Sequence, residues 1–181
     1  MHLFNHLNQL TLKHRTKLAL AAFALIAFST SSFAQASATA TATATIVTPI
    51  SITKTVDMNF GNVAVQTATG GTVVMTPAGV RSATGGVTLP AVTGTVTAAS
   101  FTVNGQGTYT YAITLPASAT TLTNGANTMT ADTWTSTPSA TGALTAGTQT
   151  LNVGATLNVA AAQAAGLYVS GTPFTVTVNY N

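Results

Sequence analysis

The chain has 181 residues but only five basic and two acidic side chains, and it contains no cysteine. The missing cysteines exclude a disulfide framework and a thiolate metal site. Residues 37–181 keep only Lys54, Asp57, Arg81 and Asp132, so this part has no net charge and no basic patch, which argues against nucleic-acid binding.

The first 36 residues are typical of an export signal. Basic side chains at positions 13–17 precede an apolar run at 18–28, which is shorter than the about 20 residues of a membrane-spanning helix. Small residues follow and predict cleavage after Ala34 or Ala36. The alternatives for this segment are an N-terminal core helix or a membrane anchor. We expect an exported protein at the cell surface or outside the cell, passing through the periplasm of a Gram-negative bacterium.

Residues 37–48, which we call the N-terminal extension, alternate between threonine and mostly alanine. Strict alternation is the period of a strand, and it places one set of side chains on one face. Alanine buries little area, so we expect a weak strand that needs a groove to hold it. The alternative is a low-complexity linker. The candidate donor-strand residues are Ala40, Ala42, Ala44 and Ile46.

Residues 49–181 form the predicted folded domain. Alternating runs recur about every ten residues between Gly, Pro and Asn, and no long helical period is present. This pattern predicts an all-β, immunoglobulin-like antiparallel β-sandwich, either complete or lacking its last strand. The predicted strands are 50–60, 63–65, 72–75, 87–89, 92–97, 99–103, 109–115, 120–123, 127–134, 148–153 and 156–159.

Two hairpins are predicted within this domain. The clearer one joins strands 99–103 and 109–115 through a glycine-containing loop, where Asn104 and Gly105 favour positive φ. The second turns at Asn124-Gly125. A polar loop is predicted at 80–86, and one helical turn at 160–165.

Trp134 is the only tryptophan of the chain. We interpret it as a core residue of a strand. The alternative is an exposed ring that stacks on a sugar.

The segment before the last strand reads Ala-Gly-Leu-Tyr and resembles a tyrosine corner, in which Gly166 and Tyr168 have a structural role. Two arrangements of the chain after it are open. Tyr168 to Tyr180 forms one long strand beside an open groove, or Ser170–Pro173 turns the tail into a hairpin that closes the domain. The predicted acceptor-groove residues share one face of this tail: Phe174, Val176, Val178 and Tyr180.

Residues 37–181 contain no histidine, cysteine or glutamate, which removes the usual general bases, nucleophiles and metal ligands. Asp57 and Asp132 lie far apart in the sequence, and no acidic cluster suits calcium. We therefore expect neither an enzyme nor a protein with a metal or cofactor.

Three motifs carry a resemblance to known families. TPISIT at 48–53, NFG at 59–61 and the tail GATL…Q…GLY…FTVTVNYN at 154–181 resemble a family of secreted bacterial proteins known only as a domain of unknown function. The overall arrangement is similar to the cysteine-free alternate clade of chaperone–usher pilins, which includes the colonisation-factor and common-pilus subunits. This chain and those pilins share an export signal, an alternating N-terminal extension and a penultimate aromatic residue, which is Tyr180 here.

The pilin resemblance implies that residues 38–47 insert into a neighbouring subunit, and that the strand ending at Tyr180 borders the acceptor groove. It implies a fibre of identical subunits, a periplasmic chaperone, an outer-membrane usher and a role in adhesion. The expected function is a structural fibre subunit that polymerises by strand donation. The alternative is a self-contained secreted binding module, for example for glycans.

Overall fold

The computed structural model describes residues 34–181, so all but the end of the predicted export signal lies outside the described residues. Every regular element in the described range is a β-strand, and every strand pair is antiparallel. The predicted all-β antiparallel sandwich is therefore confirmed. The strands are β1 (Ser51–Val56), β2 (Ala64–Val65), β3 (Gly71–Met75), β4 (Arg81–Gly85), β5 (Val87–Thr88), β6 (Ala99–Asn104), β7 (Thr110–Thr114), β8 (Thr120–Asn124), β9 (Asn127–Thr137), β10 (Thr141–Ala143), β11 (Thr148–Val159), β12 (Val169–Ser170) and β13 (Thr177–Tyr180).

Strand β11 organises the larger sheet. Its first half pairs with β6 and its second half with β3 on the same side, while β9 pairs along its other side. The sheet has the order β1-β6-β11-β9-β8-β12, and β4 extends it beyond β3. A second sheet has the order β10-β7-β13, and β2 pairs with β5 in a third.

Alternate residues of β11 point into the interior and supply two hydrophobic clusters. Leu151 and Val153 belong to one, whereas Ala155, Leu157 and Val159 belong to the other. The buried members of the first core cluster are Phe60, Val73, Met75, Val87, Ala131, Ala155, Leu157 and Val159. The buried members of the second core cluster are Ala99, Val103, Tyr111, Leu144, Leu151, Val153, Val176 and Val178.

A β-bulge in β9 turns Trp134 towards both clusters. The register with β11 shifts between Gly154 and Thr156, so β9 carries one extra residue there. Thr133 takes a positive φ of 50°, which is unusual for a β-branched residue. The inward face consequently changes from Ala131 to Trp134, and the indole packs against both core clusters. The interpretation of Trp134 as a core residue agrees with this position.

The two strands predicted at 148–153 and 156–159 are one strand of 12 residues. Gly154 lies inside it rather than at a turn. A Cβ at this position would overlap the carbonyl oxygen of Met75, because the end of β3 passes close to the β11 backbone. The glycine therefore permits a close approach of two chains and does not break the strand.

The hairpin predicted across Asn104–Gly107 is wrong in its pairing. Strands β6 and β7 form close to the predicted positions but belong to different sheets. The loop backbone bonds to the β10–β11 turn instead: the Gly105 N–H donates to Gly147 O at 2.9 Å, and the Gly147 N–H donates to Gly107 O at 2.7 Å. Both edges of β6 are already taken by β1 and β11, so the loop connects the two layers.

Three other local features were predicted: a second hairpin, a polar loop and a helical turn. The hairpin around Asn124-Gly125 is confirmed, with Gly125 at a φ of 59°. The loop predicted at 80–86 is largely strand β4, because its alternate residues pair with β3. Residues 160–165 contain turns and bends but no helix.

The C-terminal tail follows neither of the two arrangements considered. Strand β12 pairs with β8 in the larger sheet, whereas β13 pairs with β7 in the three-stranded sheet. Residues 171–176 connect the two and belong to no strand. The tail thus crosses from one layer to the other, because β8 and β7 offer free edges in different sheets.

Residues 34–44 belong to a unit separate from residues 45–181. All of them are exposed, and none lies in a strand. No helix in the described range is long and apolar enough to cross a bilayer.

Candidate functional site

The last strand offers an unpaired edge. Within residues 34–181, β13 pairs only with β7, and the preceding residues 171–176 pair with no strand. The side chains of Val176 and Val178 are nevertheless only 7% exposed and belong to the second core cluster. Most of the other residues of this stretch are exposed, so its unpaired backbone is accessible. An accessible strand edge is a template on which a further strand can pair.

Strand β1 is the neighbouring edge. It pairs only with β6 in the part of the chain that the structure describes, and a bulge interrupts that pairing between Lys54 and Val56. Some Cα atoms of β1 and β13 lie within 8 Å of each other, yet the two strands are not paired. Ile50 and Ile52 pack against the second core cluster from this side. We call the region between β1 and residues 174–180 the β1–β13 seam.

Aromatic side chains lie along the floor of this seam. Phe174 contacts Phe101 of β6 edge-to-face, with ring centroids 6.4 Å apart. It also packs against Trp134, with centroids 4.4 Å apart and ring planes inclined by 35°. Phe174 therefore joins the tail to the larger sheet, although it lies outside any strand.

All four predicted acceptor residues pack into the second core cluster. Val176 and Val178 are buried, whereas Phe174 and Tyr180 are half-buried. The alternation seen in the sequence thus places these side chains on a single inward face. Only Val178 and Tyr180 lie within a strand.

A hydrogen-bond cluster is located at one end of the seam. The Tyr180 hydroxyl donates to Thr48 O at 2.7 Å and accepts from the Gln106 N–H at 2.5 Å. The side-chain oxygen of Gln106 accepts from the Thr48 N–H at 3.1 Å. Tyr109 packs its ring edge-on against Tyr180, with centroids 5.6 Å apart. The end of β13 is thereby bonded to Thr48, which precedes β1, and to Gln106 in the β6–β7 loop.

The predicted donor-strand residues are exposed. Ile46 is 93% exposed, and Ala40, Ala42 and Ala44 are exposed as well. None of the four forms a β-bridge within residues 34–181. Their role as a donor strand remains a prediction.

Tyr168 has the hydrogen bonding of a tyrosine corner. Its hydroxyl donates to the carbonyl oxygen of Ala164 at 2.8 Å, four residues upstream, and accepts from Gln163 Nε2 at 2.7 Å. Gly166 takes a φ of 144°, and a Cβ there would overlap the amide of Asn124. These contacts hold the loop that leads into β12.

The four charged side chains of residues 37–181 lie at three separate places. Lys54 forms an ion pair with Asp57 at 2.7 Å. Asp132 accepts from Asn158 Nδ2 at 2.9 Å. The Arg81 guanidinium donates to backbone carbonyls, including that of Asn62 at 3.1 Å.

A shallow depression of about 340 Å³ lies elsewhere on the larger sheet. Its lining includes neutral polar side chains: Thr128, Thr130, Asn158 and Gln163.

The sequence interpretation missed Thr48 and Gln106. Neither shows a periodic signal, since Thr48 lies between the extension and Pro49, and Gln106 lies in a glycine-rich loop. The bonds form because the fold brings the loop and the C-terminus to the same end of the seam. Pro49 was a partial signal, because the residue before a proline is confined to extended conformations.

A family model described as a domain of unknown function, DUF4402, matches residues 50–180. The chain belongs to this family. The matched residues cover all thirteen strands described within residues 34–181 and exclude residues 37–48 of the N-terminal extension. No curated protein and no solved structure matches the chain. The family description states no activity, so the function is argued from the seam.

Proposed function

We propose that this protein is an exported structural subunit of a surface fibre, in which subunits join by donating a strand to one another. The observation that carries the proposal is the unpaired backbone of residues 171–176 and of the free β13 edge beside buried side chains. Such edges pair readily with another chain. In strand addition the main chain supplies affinity, and alternate side chains fill pockets.

The N-terminal extension is the proposed donor. Its alternation has the period of a strand, and its apolar residue Ile46 is 93% exposed. The small alanine side chains need little room beside the rings of Phe174 and Phe101, whose centroids are 6.4 Å apart. Some Cα atoms of β1 and β13 lie within 8 Å of each other, so a strand added between them must move these two edges to about 9.5 Å apart at that point. A fibre made in this way supports adhesion at the cell surface. The pilin resemblance adds a periplasmic chaperone and an outer-membrane usher as proposed partners.

Charge supports association through the main chain rather than through ion pairs. Residues 37–181 have two basic and two acidic side chains and no net charge. Net charge near zero lowers the repulsion between copies. Lys54 is already paired with Asp57, which leaves Arg81 and Asp132 as the other charges of this range.

Electron microscopy of the purified protein tests the proposal. We expect filaments from the full-length exported chain and their loss when residues 36–47 are deleted. A matched pair of substitutions distinguishes the two faces of the extension. Ala44→Asp places a charge on the predicted inward face and should abolish assembly, whereas Thr43→Asp places it on the outward face and should be tolerated. A monomer that is indifferent to the deletion would contradict the proposal.

A self-contained glycan-binding module is the second candidate, and the depression on the larger sheet favours it. Its lining combines apolar surface with neutral polar groups, and the amide nitrogens of Asn158 and Gln163 already donate to oxygens of the domain. A sugar would therefore contact it through the apolar face of its ring and through the hydroxyl and amide oxygens of the lining. Glycan binding by a stable monomer, lost in Asn158→Ala but kept after deletion of 36–47, would support this candidate over the fibre subunit.

A further inference from the structure

Thr48 is held by two side chains at the point where the N-terminal extension meets the folded domain. Gln106 Oε1 accepts from its N–H at 3.1 Å, and the Tyr180 hydroxyl donates to its carbonyl oxygen at 2.7 Å. Both backbone groups of Thr48 are therefore bonded to side chains rather than to a neighbouring strand. We call these three residues the Thr48 clamp.

The position of the Tyr180 hydroxyl is determined by contacts beyond the one to Thr48. It accepts from the Gln106 N–H at 2.5 Å, and the ring packs edge-on against Tyr109. Gly105 leaves the space that the hydroxyl occupies, because a Cβ there would overlap it. The clamp is thus built from the β6–β7 loop and the end of β13, and it holds the residue before Pro49.

The clamp also defines a direction. Thr48 precedes β1 and bonds to Tyr180, the last residue of β13, whereas Phe174 contacts Phe101, the partner of Lys54 in the β1–β6 register. The tail and β1 therefore run in opposite directions. A chain's own extension would enter the seam from this end after reversing near Pro49, and it would run parallel to β13. Because β1 and β13 are opposed, a strand between them is antiparallel to one and parallel to the other whichever copy supplies it. The choice between the two extensions therefore depends on how the root of the extension is held, and not on the pairing direction.

Reversal of a chain's own extension meets three obstacles. It requires release of both hydrogen bonds to Thr48. Pro49 confines Thr48 to extended conformations and has no N–H to offer to a hairpin. Ile50 follows directly and packs against the second core cluster, so a turn here would disturb that contact.

We infer that the Thr48 clamp determines which extension occupies the β1–β13 seam: it excludes the chain's own and leaves the seam to residues 38–47 of a second copy. The inference rests on the proposed function. Tyr180 and Gln106 are positioning residues in this scheme, because they act on the root of the extension and not on the donated strand.

The absence of native cysteine allows a direct test by crosslinking. Thr43→Cys in the extension and Thr177→Cys on β13 introduce two thiols at exposed positions of the full chain. A short bis-maleimide then gives monomers when it links one chain to itself, and ladders on a denaturing gel when it links different chains. The clamp predicts ladders from this parent protein.

Tyr180→Phe in the same background removes the hydroxyl and keeps the ring. We expect the ratio of intrachain to interchain links to rise about fivefold, the equilibrium factor of one ordinary hydrogen bond. Tyr109→Phe is the matched control, since it removes a neighbouring hydroxyl that is not one of the two hydrogen-bond partners of Thr48, and its ratio should equal that of the parent.

An unchanged ratio in folded Tyr180→Phe, with ladders still present, would overturn the clamp but leave the fibre subunit standing. No ladders from the parent, together with assembly that is unaffected by deletion of 36–47, would overturn both. If circular dichroism shows that Tyr180→Phe is unfolded, Gln106→Ala takes its place. This variant keeps Tyr180 and removes only the acceptor for the Thr48 N–H, and the same ratio decides the outcome.

Discussion

The indole of Trp134 packs against the ring of Phe174, with centroids 4.4 Å apart, and so joins the bulged strand β9 to the unpaired stretch of the C-terminal tail. The contact depends on the bulge at Thr133, which turns the side chain inward. It also supports the floor of the β1–β13 seam.

Trp134→Ala should therefore be strongly destabilising. Loss of the ring from between the two core clusters leaves a cavity, and we expect the free energy of unfolding to fall by about 3–5 kcal/mol. Urea unfolding followed by circular dichroism measures the change. Trp134→Phe is the control and should lose less, because it keeps an aromatic contact with Phe174. A variant of unchanged stability would show that the indole is not a core residue.

Gly142→Ala tests the close packing of the Tyr111 ring against Gly142 of β10. The two residues are paired across β10 and β7, and a Cβ at Gly142 would overlap the end of the Tyr111 ring. Tyr111 is fully buried, and its hydroxyl donates to Gln149 Oε1 at 2.7 Å, so the ring cannot move aside without losing that bond. We expect a loss of about 1–3 kcal/mol, as for other overpacked sites. Gly125→Ala is a poor control because of its positive φ, whereas Ala143→Gly changes the neighbouring position without overlap.

The stability of the domain should depend on Tyr111 at alkaline pH. Burial raises the pKa of Tyr111 above its ordinary value of 10.0. As the pH rises above 10.0, the unfolded chain releases this proton while the folded chain keeps it, so the free energy of unfolding falls. The slope is at most about 1.4 kcal/mol per pH unit. Below that pH the residue makes no pH-dependent contribution.

Urea titrations from neutral to alkaline pH measure this effect. Tyr111→Phe should remove the part of the slope that belongs to this residue. Gln149 keeps a hydrogen bond from the Ala143 N–H at 2.9 Å in Tyr111→Phe, so its side-chain oxygen is not left without a donor. Identical slopes in Tyr111→Phe and the parent protein would contradict the prediction.

Tyr168→Phe should loosen the loop before β12. The variant loses the bond to Ala164 O and leaves Gln163 Nε2 with one acceptor fewer. We expect a destabilisation of about 1–2 kcal/mol. Hydrogen exchange should show faster exchange in residues 160–170, with little change in β11. Protection that is unaltered throughout would mean that the hydroxyl is not needed to hold this loop.

The sequence period predicted the strands well because alternation is a local property. Phe174, Val176, Val178 and Tyr180 were assigned to one face of the tail, and all four pack into the second core cluster. The turn at Asn124-Gly125 was also predictable, since a positive φ favours glycine there. The period in β9 was not continuous, however. Ala131 and Trp134 both face inward but are three residues apart, whereas inward residues of a regular strand are an even number apart. This odd spacing is the sequence signal of the bulge.

Pairing was not predictable in the same way. The loop from Asn104 to Gly107 has the composition of a hairpin turn, but its flanking strands belong to different sheets. A glycine such as Gly154 often interrupts a strand, but here it lies within the 12-residue strand β11. Both outcomes depend on residues distant in the sequence, Gly147 in the first case and Met75 in the second.

The sequence by itself determined that this protein is built from strands, which side chains of the tail face inward, and that residues 37–181 have almost no charge with which to bind a partner. Only the tertiary structure decided which edges are paired and which remain open. A strand's period specifies its two faces but not its neighbours, because edge pairing depends on which backbone groups other segments have already occupied. The edge of β13 beside Val176 and the bond from Tyr180 to Thr48 therefore had no signature in the linear sequence, although they define the proposed acceptor site.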